Sequence, residues 1–403
     1  MTAPPEAFDR AAWSWVDHLR HGGSTPWADW SAPATGQPAP PGKDGSTLPA
    51  AAELEVVRRL ATRPRHGIDF PAVADLVLRR SGPGRGLVDI PLAGTGRTGT
   101  PRIGTPPSDP GLVPDGELVR VAVGALAELL IETPATDPTD TGPSRMTARR
   151  RPWERGFRIA GPPVAGARLR ASLAAAGHVE GGRRPRVLLV AGAFDEMLLQ
   201  IWSSRVQRGS TLPWPKLVRR LAREDRVPLA MDLPRLAGQW ADRVGAERVH
   251  VIIGGADPGV WRTAAQIVGG PVPPIAEPAP GDVADLSPRA TDVLRRVNEV
   301  LNVRVDPARL PAVVRAGSAV LQGPGPALVV PDRQAAWAAE RSRRMAQDLR
   351  AGRYAVHGEP GQVASRRDGD PDRVHAADVL DIALDACLRA AEQSAHGGKV
   401  PRR

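Results

Sequence analysis

Cysteine occurs once in the 403 residues, at Cys387, so no disulfide can form within the chain and no disulfide framework supports its fold. Aromatic residues make up only 4% of the chain, and ten of them are tryptophan against a single tyrosine. Aliphatic side chains and alanine must therefore do most of the packing. Lysine is almost missing: Lys43, Lys216 and Lys399 are the only ones, so arginine carries nearly all of the positive charge behind the net +10. No apolar run approaches the roughly 18 residues of a membrane span. The N-terminal residues lack a basic segment followed by an apolar one, the mark of a secretory signal. These absences predict a soluble, cytoplasmic protein with no membrane partner.

What is present is enough for a sizeable core: 41% of the residues are apolar, and the length suits two or three domains. Abundant Ala, Gly, Pro and Arg with scarce Lys reads first as the codon usage of a GC-rich genome. The alternative is a polyanion-binding surface, because clustered guanidinium groups hold phosphate and sulfate well.

The N-terminal region is predicted to be mainly helical. Phe8, Ala12, Trp15, Val16 and Leu19 share one helical face; Leu54, Val57 and Leu60 mark a second helix, and Phe70, Val73, Ala74 and Val77 a third. A Pro/Gly-rich stretch lies between the first two, from Pro33 to Gly45. Leu87, Ile90 and Leu92 suggest a short strand, followed by a Gly/Pro/Thr-rich loop to Pro114. Leu118, Val121, Ala122, Ala125 and Leu129 then form an amphipathic helix. Residues 133–152 read as a polar, Pro-rich linker too poor in apolar surface to order itself. The predicted organisation is a helical region at 1–132, this linker, and an α/β domain with added C-terminal helices at 153–403.

The second half alternates strands and helices. Phe157 to Ala160 is a short strand. Val187 to Ala191 and Val249 to Ile253 are continuous apolar strands of the kind buried on both faces of a parallel sheet. Helices are predicted from Gly166 to Ala176 and from Asp195 to Arg208, then around Trp214, Leu217, Val218 and Leu221, and around Leu233, Leu236, Ala237 and Trp240. This rhythm predicts a mostly parallel sheet flanked by helices. Ser287 and Pro288 are an N-cap and a first helical residue for the helix carrying Val293, Leu294, Val297 and Leu301. Asp306-Pro307 is read as opening another helix, Asp332 as capping an Arg-rich one that stops near Gly352, and Ala377, Leu380, Leu384, Cys387 and Leu388 as the face of the last.

The segment from Arg158 to Leu169 is strand, Gly-bearing turn and helix, the setting in which backbone N–H groups at a helix start attract an anion. Gly161, Gly166, Arg158 and Arg168 are the candidate anion-binding residues there. Pro162 and Pro163 remove two N–H donors, however, and neither Lys nor Ser/Thr occurs before Ser172. Further along come Val187 to Gly209, Leu212 to Val218, Asp232 to Ala241, and the run Trp240-Ala-Asp-Arg-Val-Gly-Ala-Glu-Arg-Val-His-Val251. This order resembles the sulfotransferase-like proteins of actinobacteria, over roughly residues 155–303, with the "W-A-x-x-V-G-x-E-R-V-x-V" run its most specific part. Residues 294–301 are similar to a helix near the end of that fold.

The resemblance implies a P-loop-type α/β fold and a sulfated adenosine bisphosphate donor, 3′-phosphoadenosine 5′-phosphosulfate (PAPS), held by two loops. A Lys and hydroxyls of the first loop would hold the 5′-phosphate, and Pro162 to Ala167 supplies neither. An Arg and a Ser of the second would hold the 3′-phosphate, and Gly192 and Gln200 stand in their places. Losing one bidentate Arg removes about 1.5–3 kcal/mol of contact. The chain is thus identified as a degenerate member of the family. The expected function is non-catalytic, or altered binding of a partner protein or an anionic small molecule. The alternative is an active sulfotransferase that binds PAPS through non-standard arginines such as Arg205. His178 is the candidate base, since imidazole titrates near neutral pH.

Other constellations point to plain surface. The Asp368-Gly-Asp-Pro-Asp372 run lacks the Gly and Glu of a calcium loop, and the His residues lack metal-ligand spacing. Arg341, Arg343, Arg344, Arg350 and Arg353 have no interleaved aromatics except Trp337, so nucleic acid is not the expected partner. The tryptophans Trp13, Trp15, Trp27 and Trp30 are predicted to pack the N-terminal helices.

Overall fold

The structure, a computed structural model, describes residues 5–31, 49–64, 67–79, 109–133, 156–255, 257–270, 283–321, 325, 327–365 and 374–397. The Pro33–Gly45 stretch, the Leu87–Leu92 strand, most of the loop that follows it, the linker beyond residue 133 and the Asp368–Asp372 run lie outside the described residues.

Among the described residues, five α-helices precede the sheet: α1 (Pro5–Arg20), α2 (Trp27–Trp30), α3 (Ala51–Ala61), α4 (Phe70–Leu78) and α5 (Asp115–Glu132). They form where the apolar spacing places them. Ala12, Trp15, Val16 and Leu19 of α1 are buried, as are Leu54, Val57 and Leu60 of α3 and Leu118, Ala122, Ala125 and Leu126 of α5. Asp69 starts α4 by accepting the Ala72 N–H at 3.3 Å, with Pro71 in the first turn. The Trp15 and Trp27 rings lie 5.2 Å apart, and the Trp15 indole N–H donates to the Thr25 carbonyl at 2.9 Å. These tryptophans are helix-packing residues with a satisfied polar end.

The chain continues through β1 (Phe157–Ala160), α6 (Pro163–Ala175), β2 (Arg186–Ala191), α7 (Phe194–Val206), α8 (Trp214–Arg223), α9 (Leu233–Val244), β3 (Val249–Ile253) and α10 (Pro258–Val268). Then come α11 (Pro288–Arg304), α12 (Leu310–Val320), α13 (Asp332–Ala351), β4 (Ala355–His357) and α14 (Ala376–Gly397). The protein is α/β and mostly helical. Among the described residues, four strands form one parallel sheet in the order β1-β2-β3-β4. The register pairs Leu188 with His250 and Val190 with Ile252. Leu188, Val190, Ile252 and Phe157 therefore share a face, and they pack with Leu169 and Leu173 of α6 and with Trp261, Ala264 and Val268 of α10. Val187, Leu189 and Val251 point the other way, and α9 packs against β2 and β3. Burial on both faces explains why these strands read as unbroken apolar runs.

Two compact units emerge. One, helical throughout its described residues, gathers residues 1–135, 299–322 and 375–403; the other holds the sheet and gathers residues 136–298 and 323–374. The sequence reading groups residues 153–403 together, whereas the structure groups α12 and α14 with the N-terminal helices. The reason is the apolar face of α14: Leu380, Leu384 and Cys387 are buried, and the Cys387 thiol meets the Ala122 carbonyl at 3.5 Å. Arg63 reinforces the pairing by bridging Asp381 and Asp385. Two smaller corrections concern helix starts. α12 opens at Leu310, after a turn in which Asp306 accepts the Ala308 N–H at 2.7 Å. Pro331 precedes α13, and Asp332 sits in its first turn, where a carboxylate favours the positive helix end.

Candidate functional site

The turn from β1 into α6 is built by backbone constraints. Gly161 leaves the strand at φ +120°, and a Cβ there would sit 3.0 Å from the Val190 carbonyl oxygen. Pro162 precedes the helix and Pro163 opens it, so neither offers an N–H. The Gly166 N–H is bonded to the Pro162 carbonyl at 3.0 Å. The Ala165 N–H donates to Oε1 of Gln200 on α7, also at 3.0 Å. One N–H of this helix start is thus taken by a neutral side chain of the same protein. Gly166 serves close packing: a Cβ there would touch the Ile159 side chain at 3.4 Å.

The second turn, from β2 into α7, carries a carboxylate. The Ala191 carbonyl accepts the N–H groups of Gly254 and Gly255 at 2.9 and 2.7 Å, which draws the ends of β2 and β3 together. Glu196, in the first turn of α7, lies against Gly192 and Gly255. A Cβ on Gly192 would come 2.7 Å from its Oε2, and one on Gly255 would come 3.0 Å from the same atom. The second turn thus places an acid over a glycine.

The candidate arginines do not assemble around these turns. Arg168 is held by Asp285 in an ion pair, and Arg170 pairs with Glu180 at 3.1 Å. Arg158 is exposed on β1. Burial pushes the Arg205 guanidinium below its ordinary pKa, and the positive charges of Arg220 and Arg208 add to that effect. On α13, Arg343 and Arg344 are exposed and share Glu340. His178 follows the far end of α6, a helix of 13 residues and so about 20 Å long. Its ring abuts Gly270, just past α10, and its buried Nε2 has no partner among the described residues. The candidate base is therefore separated from both turns by the length of a helix.

Between the two turns, at the carboxyl ends of the strands, lies a cavity of about 350 Å³. Val164, Ala165 and Arg168 of α6 line it, with Glu196, Leu199, Gln200, Trp202 and Ser203 of α7. Gly255, Trp261 of α10 and residues 285–288 complete the wall with Thr291, Gly325 and Ala327. Open α/β sheets bind ligands at this end. Here the strand order is sequential and offers no reversal point, so the hollow is made by helices. Ser203 Oγ accepts from Thr291 Oγ1 at 3.3 Å and from Gln207 Nε2 at 3.0 Å, which fixes the polar end of the wall. Sequence reasoning singled out Arg168 and Gln200 but passed over Glu196 and Trp261. The signal for α10 was present: Asp257-Pro258 is a helix start, and Asp257 accepts the Gly259 N–H at 2.6 Å.

A separate polar pair sits on the sheet. His250 Nδ1 and His357 Nε2 are 3.2 Å apart across β3 and β4. Burial first, then His357 and Arg186, push His250 down to about 4, and burial also lowers His357. Both imidazoles are neutral at pH 7. Among the described residues no three His, Cys, Asp or Glu side chains are grouped to hold a metal ion, and no helix is long and apolar enough to cross a membrane. Comparison with protein-family models, curated proteins and solved structures finds no match to this chain.

Proposed function

We propose that the α/β unit is a degenerate, non-catalytic relative of the sulfotransferase-like proteins, a binding domain that no longer accepts the nucleotide donor. The contact that carries this reading is Gln200 on the Ala165 N–H. It takes one N–H of the helix start where a 5′-phosphate would rest, in a turn already short of donors because of Pro162 and Pro163. Glu196 supports it from the second turn, since a carboxylate beside Gly192 and Gly255 repels a phosphate instead of neutralising it. An active enzyme relying on other arginines has Arg168 at the cavity, and Asp285 already engages that residue.

The test is a transfer assay with labelled PAPS and a panel of phenol and alcohol acceptors. No product above the buffer background is expected. Turnover that survives purification and falls at least tenfold in Arg168→Ala would overturn the reading and restore the enzyme.

A further inference from the structure

The helix α8 is divided cleanly between an apolar side and a basic one. Trp214, Leu217, Val218 and Leu221 are buried, whereas Lys216, Arg219, Arg220 and Arg223 are exposed. The basic residues recur at intervals of three and four, so they stand in one row opposite the apolar side. No acid lies within the helix.

The row keeps most of its charge. Arg220 pairs with Glu224, just past the helix, at 3.0 Å; among the described residues no carboxylate pairs with Lys216, Arg219 or Arg223. The arginines of α13 differ: Arg343 and Arg344 share Glu340, and Arg341 faces Asp225 at 3.8 Å. The positive field also reaches the end of α7. Burial first, then the charges of Arg220 and Arg208, hold the Arg205 guanidinium below its ordinary pKa, so these three groups are neighbours. Clustered like charges repel one another, and a partner of opposite sign relieves that repulsion.

The kind of anion follows from what the row lacks. A membrane-surface helix inserts an apolar face into the lipid, and every large apolar side chain of α8 is buried. Protein interfaces rest on an apolar or aromatic centre, which α8 does not expose. A single nucleotide reaches only part of the row, and exposed ion pairs are individually weak. A phosphate backbone needs only Lys and Arg, because each phosphate contact releases counterions. The sequence reading set nucleic acid aside on the arginines of α13, which the structure pairs with acids.

We infer that the outer face of α8, with Arg205 and Arg208 near it, binds the phosphate backbone of a nucleic acid without regard to base sequence. This rests on the charges of α8 and holds whether or not the chain is a relative of sulfotransferases.

The experiment is fluorescence anisotropy of the full chain on a labelled DNA duplex of about 20 base pairs, from about 50 to 200 mM salt. Saturable binding is expected at the lowest salt, with a slope of log K against log salt of about −3 to −4 for four phosphate contacts. The triple variant Lys216→Gln, Arg219→Gln, Arg223→Gln should bind at least tenfold more weakly at low salt, with a slope near −1. A charge-matched triple variant on α13, Arg333→Gln, Arg343→Gln, Arg344→Gln, should stay within about twofold of the native protein, because binding belongs to the row on α8. Should the first variant fail to fold, Arg219→Gln alone should make the slope shallower by about 1. No binding at low salt, equal losses in the two triple variants, or tighter binding to polyglutamate or phosphatidylserine vesicles than to the duplex would overturn the inference.

Discussion

Gln200 Oε1 accepts the Ala165 N–H at 3.0 Å, joining two helices whose contacting residues are 35 positions apart in the chain. The bond ties the first turn of α6 to the middle of α7. It also places an amide where the resemblance to sulfotransferases puts a phosphate. Gln200→Ala leaves that N–H without its side-chain acceptor and should cost about 1 kcal/mol. Urea unfolding should show a lower midpoint at an unchanged slope. An unchanged midpoint would mean that water replaces the amide freely.

Gly161 was a candidate for anion binding on sequence grounds, and the structure gives it a backbone reason instead. At φ +120°, with a carbonyl 3.0 Å from any added Cβ, Gly161→Ala should destabilise the α/β unit by about 1–3 kcal/mol. In Gly192→Ala the close contact is with the flexible end of Glu196, and the Gly255 backbone lies at an ordinary 3.4 Å, so its loss should be smaller. Thermal melts of the two variants, compared with the native protein, check that order.

The His250–His357 pair makes stability pH-dependent in a defined direction. Folding lowers both pKa values, His250 to about 4 from an ordinary 6.5, so the unfolded chain binds protons more readily. Stability from the neutral pair is complete above pH 6.5 and is lost as pH falls from there towards 4. The His250→Gln, His357→Gln double variant should therefore show a flatter Tm profile across that window. Parallel profiles for variant and native protein would contradict the pairing.

The helical unit depends on its last element. Ending the chain at Val374 removes α14 and exposes the faces of α5 that meet Cys387 and its neighbours. The expected loss of helicity by circular dichroism exceeds the 22 residues deleted with α14, because α3 and α5 lose their cover. A loss confined to α14 itself would show that the remaining helices stand without it.

How much of this was legible follows from where the chemistry lies along the chain. Val187–Ala191 and Val249–Ile253 were readable almost to the residue, because burial on both faces leaves an apolar run with no competing pattern. Ser287 was readable as a cap, and its Oγ accepts the Ala290 N–H at 3.2 Å. β4 was not: Ala355–His357 is three half-buried residues with no alternation to detect. That the first turn offers few groups to an anion was visible as missing Lys, Ser and Thr before Ser172. That Gln200 would fill the gap was not, because the bond joins separate elements and local patterns do not report contacts 35 residues apart. Trp261 escaped for the same reason, since its place in the core beside α6 and the sheet is set by elements far apart in the chain.

The most direct test of the account is a calorimetric titration of the native protein with adenosine 3′,5′-bisphosphate. The account predicts no saturable heat up to millimolar nucleotide, because Gln200 and Glu196 hold both turns where phosphates would bind. A stoichiometric isotherm with a micromolar Kd would contradict it.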